Sequence, residues 1–258
     1  MPVPYWIALF LFTLGYALAL KHGEIGLGAL PVLLALGGSA MLARRAVLWQ
    51  KALGHSLFLV VALGLALHWL PGFHSGKVID NVVLSRGATP YSMSLNLDKP
   101  LIGLWILLAC PWLIVLRPRG MLLSLAVLRP ITLIACLGSA WILGLVAWAP
   151  NWPDVAWMWL ANNLLLVSLT EELLFRGYIQ GGLERLFKHE GLALGVASVL
   201  FGLAHLHLGW QWFYLATLAG LGYGLAYRHG GLLVAVWCHV FVNLVHFTLF
   251  TYPMLAPA

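Results

Sequence analysis

The chain has 258 residues, of which 62% are hydrophobic and 9% charged, with a mean hydropathy of +0.93. A soluble domain carries about 25% charged residues, so 14 Lys+Arg and 8 Asp+Glu are too few to coat a water-facing surface of this size. That excludes an ordinary cytosolic globule, a disordered chain and a coiled coil. The formal net charge of +6 comes from basic residues scattered through short segments, which points to membrane orientation rather than to a nucleic-acid partner.

Nine apolar runs of near membrane-spanning length follow in chain order: 4–20, 25–43, 52–70, 101–116, 130–148, 155–175, 191–206, 210–227 and 231–250. They predict an all-α, polytopic transmembrane helical bundle of about nine spans, with lipid as the outer solvent. The first run ends in Ala17-Leu18-Ala19 but has no Lys or Arg before it, so it reads as a membrane helix rather than a signal peptide. Cys110, Cys136 and Cys238 all sit in apolar runs and read as small buried hydrophobes. With the N-terminus inside, the inner loops hold Arg44, Arg45, Lys51, Arg117, Arg119, Arg129, Arg176, Arg185, Lys188 and Arg228. The outer loops then hold only Lys21, Lys77, Arg86 and Lys99. This bias predicts N-terminus in and C-terminus out.

The longest polar segment, 71–100, is punctuated by Gly72, Gly76, Gly87 and Pro90 and is expected as an outer loop, either a connector or a lid. The chain changes character near residue 150. Residues 1–150 supply spans with few ionisable groups, of unassigned role, and 151–258 supply spans that carry many.

Ionisable side chains at membrane depth are costly and mark candidate sites. In Thr170-Glu171-Glu172-Leu173-Leu174-Phe175-Arg176, adjacent acids on a helix point about 100° apart. Glu172 and Arg176 are spaced to pair at i,i+4. Glu171 is left on another face, available as a general base. The alternative is a solvated helix end at the interface. His205 closes Phe201-Gly202-Leu203-Ala204-His205; alone it reads more readily as a satisfied core histidine than as a functional one, and His207 reads as interfacial. His239 and Asn243 share a face at i,i+4, which suggests a polar cavity or helix–helix hydrogen bonding. His246 continues that stripe in a supporting place. Asn162 and Asn163 read as interhelical glue. At 1.5 Å per residue, Glu171, His205, His239 and Asn243 all fall in the middle of a core about 30 Å thick.

Glu171-Glu172-x-x-x-Arg176, Phe201-x-x-x-His205 and His239-x-x-x-Asn243, in that order, resemble the CPBP (ABI) family of CAAX prenyl endopeptidases and bacteriocin-processing or immunity relatives. These resemble glutamic-type intramembrane proteases, and the resemblance covers about 150–250. It implies Glu171 as the base that activates a water and His205 as a second holder of that water. It implies Glu172 and Arg176 as the supporting ion pair, and His239 and Asn243 as the oxyanion site. The expected partners are membrane lipid and a membrane-associated or C-terminally tagged peptide substrate, with no nucleic acid. No cofactor is expected. Zinc held by Glu171, His205 and His239 is the alternative chemistry, although an HExxH helix is missing. A non-catalytic immunity or scaffold protein and a proton-coupled transporter are the other classes. The compact loops suggest a bacterial cytoplasmic membrane.

Overall fold

The computed structural model describes residues 3–113 and 117–257. Helix forms within each of the nine apolar runs, though not every run gives a helix of full spanning length. Among the described residues, three helices are long and apolar enough to cross a membrane: Leu48–Ala66, Gly120–Ile142 and Leu232–Leu249. The run 101–116 shows one reason. Its helix stops at Ala109 because Pro111 cannot supply an N–H and biases the residue before it away from helix; residues 114–116 lie outside the described set. The run 25–43 begins with a short 3-10 turn at Leu27–Ala29 and leaves a helix of 14 residues, about 21 Å long.

The chain divides into two compact units. The first comprises Met1–Lys77 and Ser94–Trp112. It holds α1 (Val3–Lys21), α2 (Leu30–Ala43), α3 (Leu48–Ala66) and, after the strands described below, α4 (Pro100–Ala109). Its centre is Trp105 of α4, which stacks on Phe58 of α3 at 3.7 Å. The indole N–H of Trp105 donates to Ser39 Oγ at 2.8 Å and to the Leu36 carbonyl at 3.1 Å. An aromatic ring with one polar tip is thus satisfied inside an apolar cluster. Asp98, at the start of α4, accepts the Lys99 backbone N–H at 2.8 Å and pairs with His68 Nδ1 at 2.5 Å.

The second unit comprises Val78–Met93 and Leu113–Ala258. The segment 71–100, expected to be a loop, contains two paired strands, β1 (Gly76–Val82) and β2 (Tyr91–Leu95). The sheet is the exception to an otherwise helical chain. Tyr91, Met93 and Leu95 alternate with serines along β2, the period of a strand with one face turned to a core. Ile79, Leu84 and Met93 are buried against Ala156, Trp159 and Phe247. The connection between the strands is tied to the chain's end by backbone bonds from Thr89 N–H to the Met254 carbonyl (3.0 Å) and from Ala256 N–H to the Gly87 carbonyl (2.8 Å). Tyr252 N–H also donates to Ser85 Oγ at 3.1 Å. This segment is packed and strapped, not loose.

The rest of the second unit is helical. In α5 (Pro118–Leu123) and α6 (Arg129–Ile142), a π-helical stretch, Ser124–Leu128, joins two α segments. Next come α7 (Ala156–Asn162), α8 (Leu169–Glu172) and α9 (Gly181–Phe187), then α10 (Glu190–Ala204), α11 (Trp210–Gly230) and α12 (Leu232–Leu249). Small residues let α10 and α11 close on each other, as in membrane helix pairs. A Cβ on Gly202 would sit 2.0 Å from Thr217 Oγ1, so only glycine fits beneath that hydroxyl. The unit's core gathers Phe175, Phe201, Tyr223, Val234, Cys238 and Val242.

Candidate active site

The acidic motif sits at an irregular point of its helix. The short α8 lies between two π-helical stretches, Asn163–Ser168 and Leu173–Gln180. A π-helical turn uses i→i+5 hydrogen bonds, and such stretches recur at functional sites. The i+5 spacing is visible in side chains too: Ser168 Oγ donates to Asn163 Oδ1 at 3.1 Å. The run 155–175, expected as one plain span, is therefore a longer helical path through Phe187 with two local widenings.

Glu172 and Arg176 are each 0% exposed. Glu172 Oε2 lies 3.1 Å from Arg176 Nε, while Glu172 Oε1 bonds His239 Nδ1 at 2.9 Å. The carboxylate thus bridges the first motif to the third. The ion contact is not aligned as a hydrogen bond, and the guanidinium nitrogens have no hydrogen-bond partner among the described residues. The cation is instead covered by rings: Arg176 Cζ is 4.8 Å from the Phe201 centroid and 5.8 Å from that of Tyr223. Stacking on π faces compensates part of a guanidinium's desolvation. The pairing read from i,i+4 spacing is present, and Glu171 falls outside it.

Glu171, His205, His239 and Asn243 line one cavity of about 150 Å³. Four polar side chains from α8, the end of α10 and α12 thereby face a common space. Glu171 Oε2 is buried there with no hydrogen-bond partner among the described residues. His205 follows the last residue of α10, and its Nδ1 lies 2.9 Å from the Phe201 carbonyl. A carbonyl only accepts, so Nδ1 carries the proton and Nε2 of the neutral ring is left as an acceptor. His239 is held in the same way: its Nδ1–H donates to Glu172 Oε1, which orients the ring and leaves the other nitrogen for the cavity. Asn243 Nδ2 donates to Asn163 Oδ1 at 3.4 Å, which uses one of its two N–H groups. His207 is exposed and turned back to the Ala204 carbonyl at 3.1 Å, apart from this cavity.

Several supports were not legible in the motifs. Tyr223, 1% exposed, stacks on His239 at 4.6 Å with an interplanar angle of 14°. The Phe201 ring contacts His205 (4.8 Å) and His239 (5.9 Å) as well as Arg176. Buried Gln180 donates to the Gly224 carbonyl at 3.2 Å. A Cβ on Gly224 would lie 2.7 Å from Gln180 Oε1, so that approach needs glycine. The motif spacing x-x-x marks the helix face of Phe201; nothing in the sequence around Tyr223 marks its partner.

Among the described residues, no three His, Cys, Asp or Glu side chains gather as a metal ion would require. The donor set Glu171, His205 and His239 lines the cavity without converging in that way. The cavity offers a buried carboxylate, an imidazole acceptor and an amide donor. That combination suits addition of water to a carbonyl.

The family model described as Rce1-like, type II CAAX prenyl endopeptidase Rce1-like, matches residues 150–245. The matched segment contains Glu171, Glu172, Arg176, His205, His239 and Asn243 and ends one residue before His246. No curated protein gives a significant match. No solved structure does either.

Proposed function

We propose that this chain, whose residues 150–245 match the Rce1-like type II CAAX prenyl endopeptidase model, is a membrane endopeptidase that cleaves its substrate within or at the bilayer. The observation that carries this is the single cavity shared by Glu171, His205, His239 and Asn243. Glu171 accepts a proton from a water held by His205 Nε2. The water oxygen adds to the scissile carbonyl carbon. The developing oxyanion accepts hydrogen bonds from the remaining N–H of Asn243 and from Nε2–H of His239 as an imidazolium, whose Nδ1–H is held by Glu172. The proton taken by Glu171 then passes to the amine nitrogen as the C–N bond breaks. Glu172 and Arg176 touch no reacting atom; they hold His239 in place. General-base catalysis contributes about 10²–10⁴-fold to such a reaction. A donor aimed at the oxyanion adds about 10²–10³-fold.

The mechanism uses no metal and no cofactor. The substrate is a protein or peptide presented at the membrane or carrying a C-terminal segment to be removed. The family's name speaks of CAAX prenyl endopeptidases; a prenylated substrate is one member of that class. Residues 151–258 carry the chemistry, and the site of action is a bacterial cytoplasmic membrane with the N-terminus inside.

The test compares cells expressing wild type, Glu171→Ala and no protein, by profiling the termini of membrane and secreted proteins. Membrane accumulation of both variants is verified first. A precursor that builds up with Glu171→Ala as in the deletion supports the protease reading and names the substrate. Wild-type behaviour of Glu171→Ala assigns the role to an immunity or scaffold protein. Washing the membranes with a zinc chelator leaves cleavage intact on the glutamate mechanism and stops it on the zinc one.

A further inference from the structure

The polar stripe of α12 does not end at Asn243. His239, Asn243 and His246 follow one another at i, i+4 and i+7, and all three line the same cavity. The first two are tied to Glu172 and Asn163. His246 differs from both. Its Nε2 is buried with no hydrogen-bond partner among the described residues, while the ring makes a hydrogen bond to the Thr251 backbone. Buried polar atoms are nearly always paired, and one that is not calls for an explanation.

The walls around His246 are apolar and aromatic. Trp212 lies 6.2 Å away at 31°, and Tyr252 lies 5.0 Å away at 62°. Trp212 in turn packs on the cluster of Ala140, Val146 and Leu215, three residues that also line the cavity. Tyr252 is held from behind by the Trp159 indole N–H at 3.0 Å and by the Tyr91 ring at 5.0 Å. Burial pushes the Tyr252 hydroxyl above its ordinary range, so it stays a neutral phenol. This end of the cavity is therefore a fixed apolar recess with one unused imidazole nitrogen.

Spacing relates the recess to the proposed chemistry. His246 lies about 4.5 Å along the helix from Asn243. An extended peptide advances about 3.3 Å per residue. A peptide whose scissile carbonyl sits at Asn243 thus brings its neighbouring residue to His246. We propose that His246, Trp212, Val146 and Leu215 form a specificity subsite for the residue next to the scissile bond, taking an apolar side chain while His246 Nε2 hydrogen-bonds that residue's backbone. His246 is a positioning residue, and the proposal rests on the endopeptidase reading.

The probe is a library of synthetic peptides, each with one acyl anchor and randomised positions around its centre. It is offered to the full-length protein in phosphatidylcholine–phosphatidylglycerol nanodiscs and read by mass spectrometry. Wild type is expected to prefer apolar residues at one position beside the cleaved bond. His246→Leu is expected to lose about tenfold in kcat/KM, mainly through KM, and to flatten the profile at that position alone. His246→Gln, which retains a hydrogen-bonding group, is expected to restore most of it. Trp212→Ala is expected to shift the same position toward larger side chains. An unchanged profile and KM in His246→Leu, with cleavage still dependent on Glu171, overturns the subsite alone. No Glu171-dependent cleavage by wild type overturns the endopeptidase reading and the subsite with it.

Discussion

The two compact units bury polarity in different ways. In the first, the central polar contact is neutral: the Trp105 indole N–H meets Ser39 and the Leu36 carbonyl. Its buried carboxylate, Asp98, reaches a histidine whose side chain is 41% exposed, so that charge lies at an edge open to solvent. In the second unit, Glu172 and Arg176 are both 0% exposed and are joined to His239 and capped by Phe201 and Tyr223. A buried ion pair is weak evidence for stability, because desolvation offsets the attraction between its members. In the proposed mechanism, what the Glu172–Arg176 pair supplies is a fixed place for His239, whose Nδ1 Glu172 holds. On that reading, the contrast separates side chains that hold helices together from side chains that hold the proposed reaction geometry.

Substitutions in the two units sharpen that contrast. Phe58→Ala removes the ring stacked on Trp105 and is expected to cost about 3–5 kcal/mol of stability, with kcat per folded molecule unchanged. Arg176→Ala is expected to cost a similar 3–5 kcal/mol or so, because it leaves Glu172 buried without its cation; unlike Phe58→Ala, it also lowers kcat. Thermal unfolding in detergent beside single-turnover hydrolysis distinguishes the two. Equal effects of both on kcat would erase the distinction between the units. Asn243→Ala removes the proposed oxyanion donor and is expected to lower kcat about 10²–10³-fold, with little change in melting temperature. The smallest effect belongs to Ser39→Ala, which takes one of two acceptors from the Trp105 N–H and is expected to cost about 0.5–1.5 kcal/mol, visible only in unfolding.

The same contrast explains what could be read from the sequence. The Glu172–Arg176 pair is local, and an i,i+4 rule reaches it. That Glu171, His205, His239 and Asn243 lie near one another was legible in their ordered motifs, and all four line one cavity. Which runs form helices long and apolar enough to cross a membrane, three among the described residues, was not legible in a hydropathy window, which passes through Pro111 without registering it. The strands Gly76–Val82 and Tyr91–Leu95 were masked by interspersed Lys77, Asp80 and serines, which made 71–100 look like loop. Tyr223 stays illegible for another reason. Its stacking on His239 depends on how α11 packs against α12, and no local spacing encodes that.

Glu171 bears the central claim, and hydrolysis by purified Glu171→Gln beside wild type, in the same nanodiscs and with matched melting temperatures, tests it most directly. The account predicts a rate about 10²–10⁴-fold below wild type with the fold intact, since Glu171 lies outside the Glu172–Arg176–His239 network. Hydrolysis at the wild-type rate by well-folded Glu171→Gln would contradict it.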